Sequence, residues 1–206
     1  SSLKMYVDGI KILKAMAKEN KDNKEKVNEL ADSMLLVFDQ RIANFGKEGY
    51  VLGRKGAVMY RYRRPNLEEA YATLEKSIDM QKEKSEAAVL LYYFKAAVKL
   101  DKKTKKSNEE WVAIFTKCAD VINYNMANMT DKKKLGTYIQ AWESIVQMAQ
   151  PYFTCDVIEP FFEQRFEKYG DREDWLKRSA SFMEEQKCDD SEIYFKIANT
   201  LHNNNP

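Results

Sequence analysis

Histidine is nearly missing from this 206-residue chain: His202 is the only one, and it stands beside Asn203, Asn204 and Asn205 in a polar tail. A Ser-His-Asp or Cys-His arrangement would need that residue as its base, and no further ligands are spaced around it for zinc. Adjacent carboxylates such as Glu109-Glu110 and Glu184-Glu185 diverge on a helix. The expectation is therefore a protein that is not an enzyme, with no catalytic residues, no metal and no cofactor. Cysteine is scarce as well. Cys118, Cys155 and Cys188 are an odd number without C-x-x-C spacing, which argues against a disulfide scaffold and against a redox or zinc motif. No stretch approaches the roughly 18 uninterrupted apolar residues of a membrane-spanning helix, so no membrane insertion is expected. An excess of one charge is lacking too. With 34 basic residues against 32 acidic, the net charge of +2 gives no global field toward nucleic acid or anionic membrane.

Only 7 glycines and 4 prolines interrupt a chain that is 44% hydrophobic and 32% charged. Apolar residues recur at helical spacing almost throughout, and strict alternation over the length of a strand is absent, so the sequence predicts ten helices and no sheet. The first spans about Leu3 to Lys18. The second runs from about Lys24 to Phe45, with Val27, Leu30, Met34, Phe38 and Ile42 as its stripe, and Gly46 and Gly49 end the pair. A third covers about Tyr50 to Arg63. Pro65-Asn66 then turns into a fourth, where Asn66 and Glu69 have capping-box spacing. The fifth covers about Glu86 to Lys99 and is followed by a lysine-rich loop over 101–106. Ser107 and Glu110 form a second capping box before the sixth. Thr130 or Asp131 caps the seventh, Pro151 ends it, and the eighth runs from about Asp156 to Tyr169, with Pro160 near its start.

The last 35 residues carry the clearest order: Trp175, Ser179, Phe182, Ser191, Phe195 and Ala198 over two short helices. Large aromatic, small, aromatic, small, aromatic and Ala is the order of a tetratricopeptide (TPR) repeat, with Ser in both small positions. Trp142 precedes Trp175 by 33 residues and Phe162 precedes Phe195 by the same interval, placing the last two pairs in one register. The expected fold is an all-α, right-handed superhelix, a TPR-like solenoid of ten helices in five antiparallel pairs, over residues 1–46, 49–83, 85–129, 130–170 and 171–206.

The segments Tyr6 to Lys11, Phe38 to Ile42, Tyr50 to Gly56, Ser85 to Val89 and Cys188 to Phe195 resemble those of a family of TPR-like proteins of Bacteroidetes bacteria. The resemblance implies an exported, periplasmic or envelope-associated protein, with a signal peptide and one further helix pair preceding the point where this chain starts, at Ser1-Ser2. It implies no catalytic motif and no particular ligand.

The densest basic and aromatic cluster is Arg54, Lys55, Arg61, Arg63 and Arg64, interleaved with Tyr60 and Tyr62. Arg54, Val58 and Arg61 fall on nearly one face of the third helix. In the repeat register that face lines the concave groove, where Arg54, Val58, Arg61 and Tyr62 would hold a peptide or anionic segment of a partner protein. The competing reading is a solvated face paired with Glu68 or Glu69. Another alternative is a structural or assembly subunit docking through its terminal repeats, marked by an apolar patch on one of them.

Gly46, Gly49, Gly53 and Gly56 do not match a phosphate-binding loop. They read instead as chain breaks at the first two and close helix approach at the last two. Trp111, Trp142, Trp175, Phe161, Phe162 and Phe166 have the spacing of core rather than of a platform for sugars. Cys155 and Cys188 occupy equivalent places in adjacent pairs. A bridge between them is the minority expectation, since such points usually exceed the ~7 Å limit on Cα separation.

Overall fold

The computed structural model describes residues 2–62 and 66–204. Arg63, Arg64 and Pro65 of the basic segment, and Asn205 of the tail, lie outside the described residues. Among those described there are ten α-helices and no strand: α1 (Leu3–Glu19), α2 (Lys24–Phe45), α3 (Glu48–Tyr62), α4 (Leu67–Gln81), α5 (Ala87–Thr104), α6 (Asn108–Asn128), α7 (Lys132–Ala149), α8 (Cys155–Tyr169), α9 (Glu173–Glu185) and α10 (Glu192–Asn204). Single 3-10 turns follow α4 and α7, the second built around Pro151.

Local chemistry sets most of these ends. Ser107 and Glu110 make both arms of a capping box at α6, and Asp131 accepts the amides of Lys133 and Lys134 at α7. Gly46, at φ 66°, terminates α2 in a conformation that disfavours a Cβ. Two expected features differ. Asn66 makes no capping bond to the backbone, and its amide donates instead to the Glu69 carboxylate at 3.4 Å. The lysine-rich 101–106 segment is helical as far as Thr104. Lys102 and Lys103 are good helix formers, and the buried Asp101 carboxylate accepts the Lys106 amide, stopping the helix there.

Most helices that are neighbours in sequence are neighbours in space, but α7 and α8, the pair expected over 130–170, do not pack closely on each other. α1 lies on α2, α3 on α4 and α9 on α10, while α2 meets α3, α4 meets α5, α6 meets α7 and α8 meets α9. First helices also touch along the stack, α3 with α5 and α5 with α7, as do second helices, α6 with α8 and α8 with α10. This is the packing of a helical-repeat superhelix. The close backbone neighbours of α7 are α5 and α6. In that part of the stack the interior is filled by Phe115, Phe153, Phe161 and Phe182, with Phe115 within 4.7–5.8 Å of the other three ring centroids. Each such ring contributes roughly 2–3 kcal/mol by burial.

The core divides in two. A smaller cluster around Leu30, Met34 and Phe38 joins α1, α2 and α3. A larger one runs from Leu74 to Ile197. Between α3 and α4 the approach is closest, and glycine permits it: a Cβ at Gly49 would lie 2.8 Å from Met80 Cβ, and one at Gly56 2.6 Å from Leu74 Cγ. Gly49 thus lies inside α3 as a contact residue rather than ending the first pair.

The C-terminal pair departs from the repeat register in one place. Phe162 is buried, but Phe195 is 55% exposed, because Ile193 and Ile197 supply the inner face of α10. Cys155, the first residue of α8, is bonded to Cys188, with Cα atoms 5.4 Å apart. The expected separation is too large because it treats the two cysteines as equivalent points of stacked repeats, whereas Cys155 opens a helix. Cys188 instead lies in the turn ahead of α10, where that turn meets the start of α8. The helix α10 continues through Asn204, so His202 is exposed on its last turn rather than in a free tail.

Candidate functional site

All four residues singled out on α3 come together. Arg54, Val58, Arg61 and Tyr62 line a groove of about 820 Å³ whose walls are the first helices of successive pairs. Lys14 enters from α1, Glu86 and Tyr92 from the start of α5, and Lys134 and Tyr138 from α7. The end of α6 closes the groove with Tyr124, Asn125 and Met129. Gly53 lets α5 sit close beneath it, since a Cβ there would lie 2.7 Å from Val89 Cγ2.

The walls are basic, with five cations, Lys14, Arg54, Arg61, Lys84 and Lys134, facing two carboxylates, Glu83 and Glu86. Arg54 donates to Glu86 at 2.8 Å and stacks over the Tyr50 ring at 4.7 Å. Arg61 donates to the Tyr92 hydroxyl at 2.6 Å and lies over the same ring. Arg54 therefore does have an acidic partner, but across the groove on the next pair, not at Glu68 or Glu69. Among the described residues Lys14 has no ion pair with a carboxylate. Burial disfavours its ammonium, and the positive charges of Arg54 and then Arg61 add to the effect, so its pKa falls below that of an ordinary lysine. Three cations thus converge on a partly desolvated space in which one carboxylate offsets one of them.

Lys55, adjacent in sequence, points elsewhere and pairs with Asp39 at 2.5 Å. Sequence reasoning missed Lys14, Glu86, Tyr92, Lys134 and Tyr138. Each stands on a different helix from Arg54, and only the stacking brings them near. The Tyr138 hydroxyl donates to the carbonyl of Ser85 at 2.8 Å, which fixes the turn that presents Glu86. The tryptophans are core, as expected: Trp111, Trp142 and Trp175 are buried, as are Phe161 and Phe162, while Phe166 is half-buried.

No family profile, no characterised protein and no solved structure matches this chain.

Proposed function

We propose that the chain is a non-catalytic scaffold whose groove holds a peptide or other anionic segment of a partner protein. One observation carries the reading. Arg54, Val58 and Arg61, chosen from helical spacing and the repeat register, and Tyr62 of the same cluster line a single groove and are joined there by Lys14 and Lys134. Arginine held against tyrosine suits carboxylate recognition, since the guanidinium presents a planar fork to an anion while the ring limits its freedom. A groove of this size admits a short segment rather than a duplex. The Cys155–Cys188 bond supports an oxidising compartment and so an exported, periplasmic or envelope setting.

Peptide display against the purified chain tests this reading, with an Arg54→Glu, Arg61→Glu variant for counter-selection. The expected result is enrichment of Asp- and Glu-containing sequences that the variant fails to retain. Enrichment of neutral sequences, or of sequences held equally by the variant, overturns it.

A second reading, an assembly subunit docking through its first helix pair, is favoured by a stripe on α1. Met5, Ile12 and Met16 are 56%, 60% and 38% exposed on one face, with open space above Gly9 between them. Its expected partner is another apolar helix face. Concentration-dependent sedimentation that Ile12→Lys abolishes supports it, and a monomer at every concentration removes it.

A further inference from the structure

Glu86 stands immediately before α5 with its carboxylate on Arg54. Its position is not explained by helix capping, because its side chain accepts no backbone amide at that end. It is not an anchor of the core either, since its side chain is 41% exposed. What it does is accept from Nη2 of Arg54 at 2.8 Å, in a pair whose two members both line the groove, so it competes there with a ligand carboxylate. Arg61 is different, having a neutral hydroxyl as its partner, and Lys14 has no carboxylate partner among the described residues.

We infer that Glu86 is a built-in competitor for the groove, and that the groove therefore selects segments bearing two or more carboxylates over those bearing one. The inference rests on the reading of the groove as an anion-binding site. A single incoming carboxylate that displaces Glu86 from Arg54 merely exchanges one ion pair for another, and its net gain is small. A second carboxylate reaching Lys14 or Arg61 meets a cation that has no charge to give up in exchange. A carboxylate on Lys14 or Arg61 relieves the mutual repulsion of Lys14, Arg54 and Arg61, whereas one on Arg54 replaces an offset that Glu86 already supplies, so the full gain needs a second carboxylate beyond the one that takes Arg54. The same logic makes Glu86 a filter against weakly anionic segments, an instance of selectivity by an internal repulsive group. Paired carboxylates could also come from a small diacid, so glutarate serves as a second probe.

Isothermal titration with acetylated, amidated pentapeptides carrying one or two aspartates, and with glutarate, tests the inference on the wild-type chain and on Glu86→Gln. The glutamine keeps the size of the side chain and removes its charge, and thermal melting checks that the fold is retained. The wild type is expected to bind the two-aspartate peptide at least ~10-fold more tightly than the one-aspartate peptide. In Glu86→Gln the one-aspartate peptide is expected to gain ~5–10-fold, narrowing that ratio. Glutarate is expected to bind more weakly than the two-aspartate peptide, and tighter binding of glutarate reassigns the ligand to a small diacid and overturns the peptide form of the inference. Binding of both peptides with affinities that Glu86→Gln leaves unchanged overturns the role of Glu86 while leaving the anionic groove intact. No binding of either peptide or of glutarate to either protein overturns the groove reading as well.

Discussion

Gly56 faces Leu74 so closely that its missing side chain is part of the packing. A methyl group there would sit 2.6 Å from Leu74 Cγ and 3.2 Å from the Leu74 backbone amide, so the helix pair must open to admit it. Gly56→Ala is expected to destabilise by about 1–3 kcal/mol, read as a lower urea midpoint with an unchanged slope. Gly136, with open space around its would-be Cβ, is the control: Gly136→Ala should be neutral or slightly stabilising. Asp174 sets a second expectation at this scale. Burial disfavours its carboxylate, but hydrogen bonds from Arg178 and Arg172 outweigh that and hold its pKa below the usual range. A depressed folded-state pKa contributes stability that is present above the unfolded value, about 3.9, and is lost as pH falls through the folded one. Asp174→Asn should therefore flatten the loss of stability between pH 5 and pH 2, as measured by urea titrations across that range.

Helix ends and the turns between helices account for the next level of stability. Cys155 and Cys188 close a loop with a sequence separation of 33. In the chain-entropy account that constraint is worth about 3–4 kcal/mol, so reduction, or Cys188→Ser, should lower the urea midpoint by a corresponding amount. Because the bond joins the start of α8 to the turn before α10, hydrogen exchange should show the loss first in α9 and α10. The capping box of α6 is smaller in effect, and Ser107→Ala should cost about 1 kcal/mol. Elements were also where the sequence could be read most directly. The Ser107–Glu110 signature is local and has one structural meaning, so the start of α6 was legible. The end of α5 was not, because its lysines favour helix and the group that stops it, the Asp101 carboxylate, acts on an amide five residues away. Phe195 follows the repeat pattern yet points outward, since Ile193 and Ile197 already fill the inner face of α10.

The whole molecule is a stack, and its groove belongs to no single helix pair. That explains the uneven legibility of the site. Arg54, Val58 and Arg61 share a helix face and could be found by periodicity. Lys14, Glu86 and Lys134 come from α1, α5 and α7, and no pattern within one helix announces their convergence. The pairing of Cys155 with Cys188 was hidden for the same reason, being decided by how second helices meet. At this scale the net charge of +2 is misleading, because five of the cations gather in one groove while the rest of the surface is mixed. Binding of an acidic segment should then weaken with salt, though less steeply than for exposed pairs, since the groove is partly shielded from solvent. Titration of the two-aspartate pentapeptide between 50 and 500 mM NaCl checks this, and affinity independent of salt contradicts the electrostatic account.

Zero-length carbodiimide cross-linking of the two-aspartate pentapeptide to the intact chain, with the joined lysines mapped by mass spectrometry, tests the central claim most directly. The reagent couples a carboxylate to an amine only where the two already meet, and the depressed pKa of Lys14 leaves more of its amine unprotonated. The account predicts that Lys14 carries the dominant adduct, with Lys134 or Lys84 next, and that Arg54→Glu, Arg61→Glu removes it. Adducts spread over Lys102, Lys103 and Lys105, with none on Lys14, would contradict it.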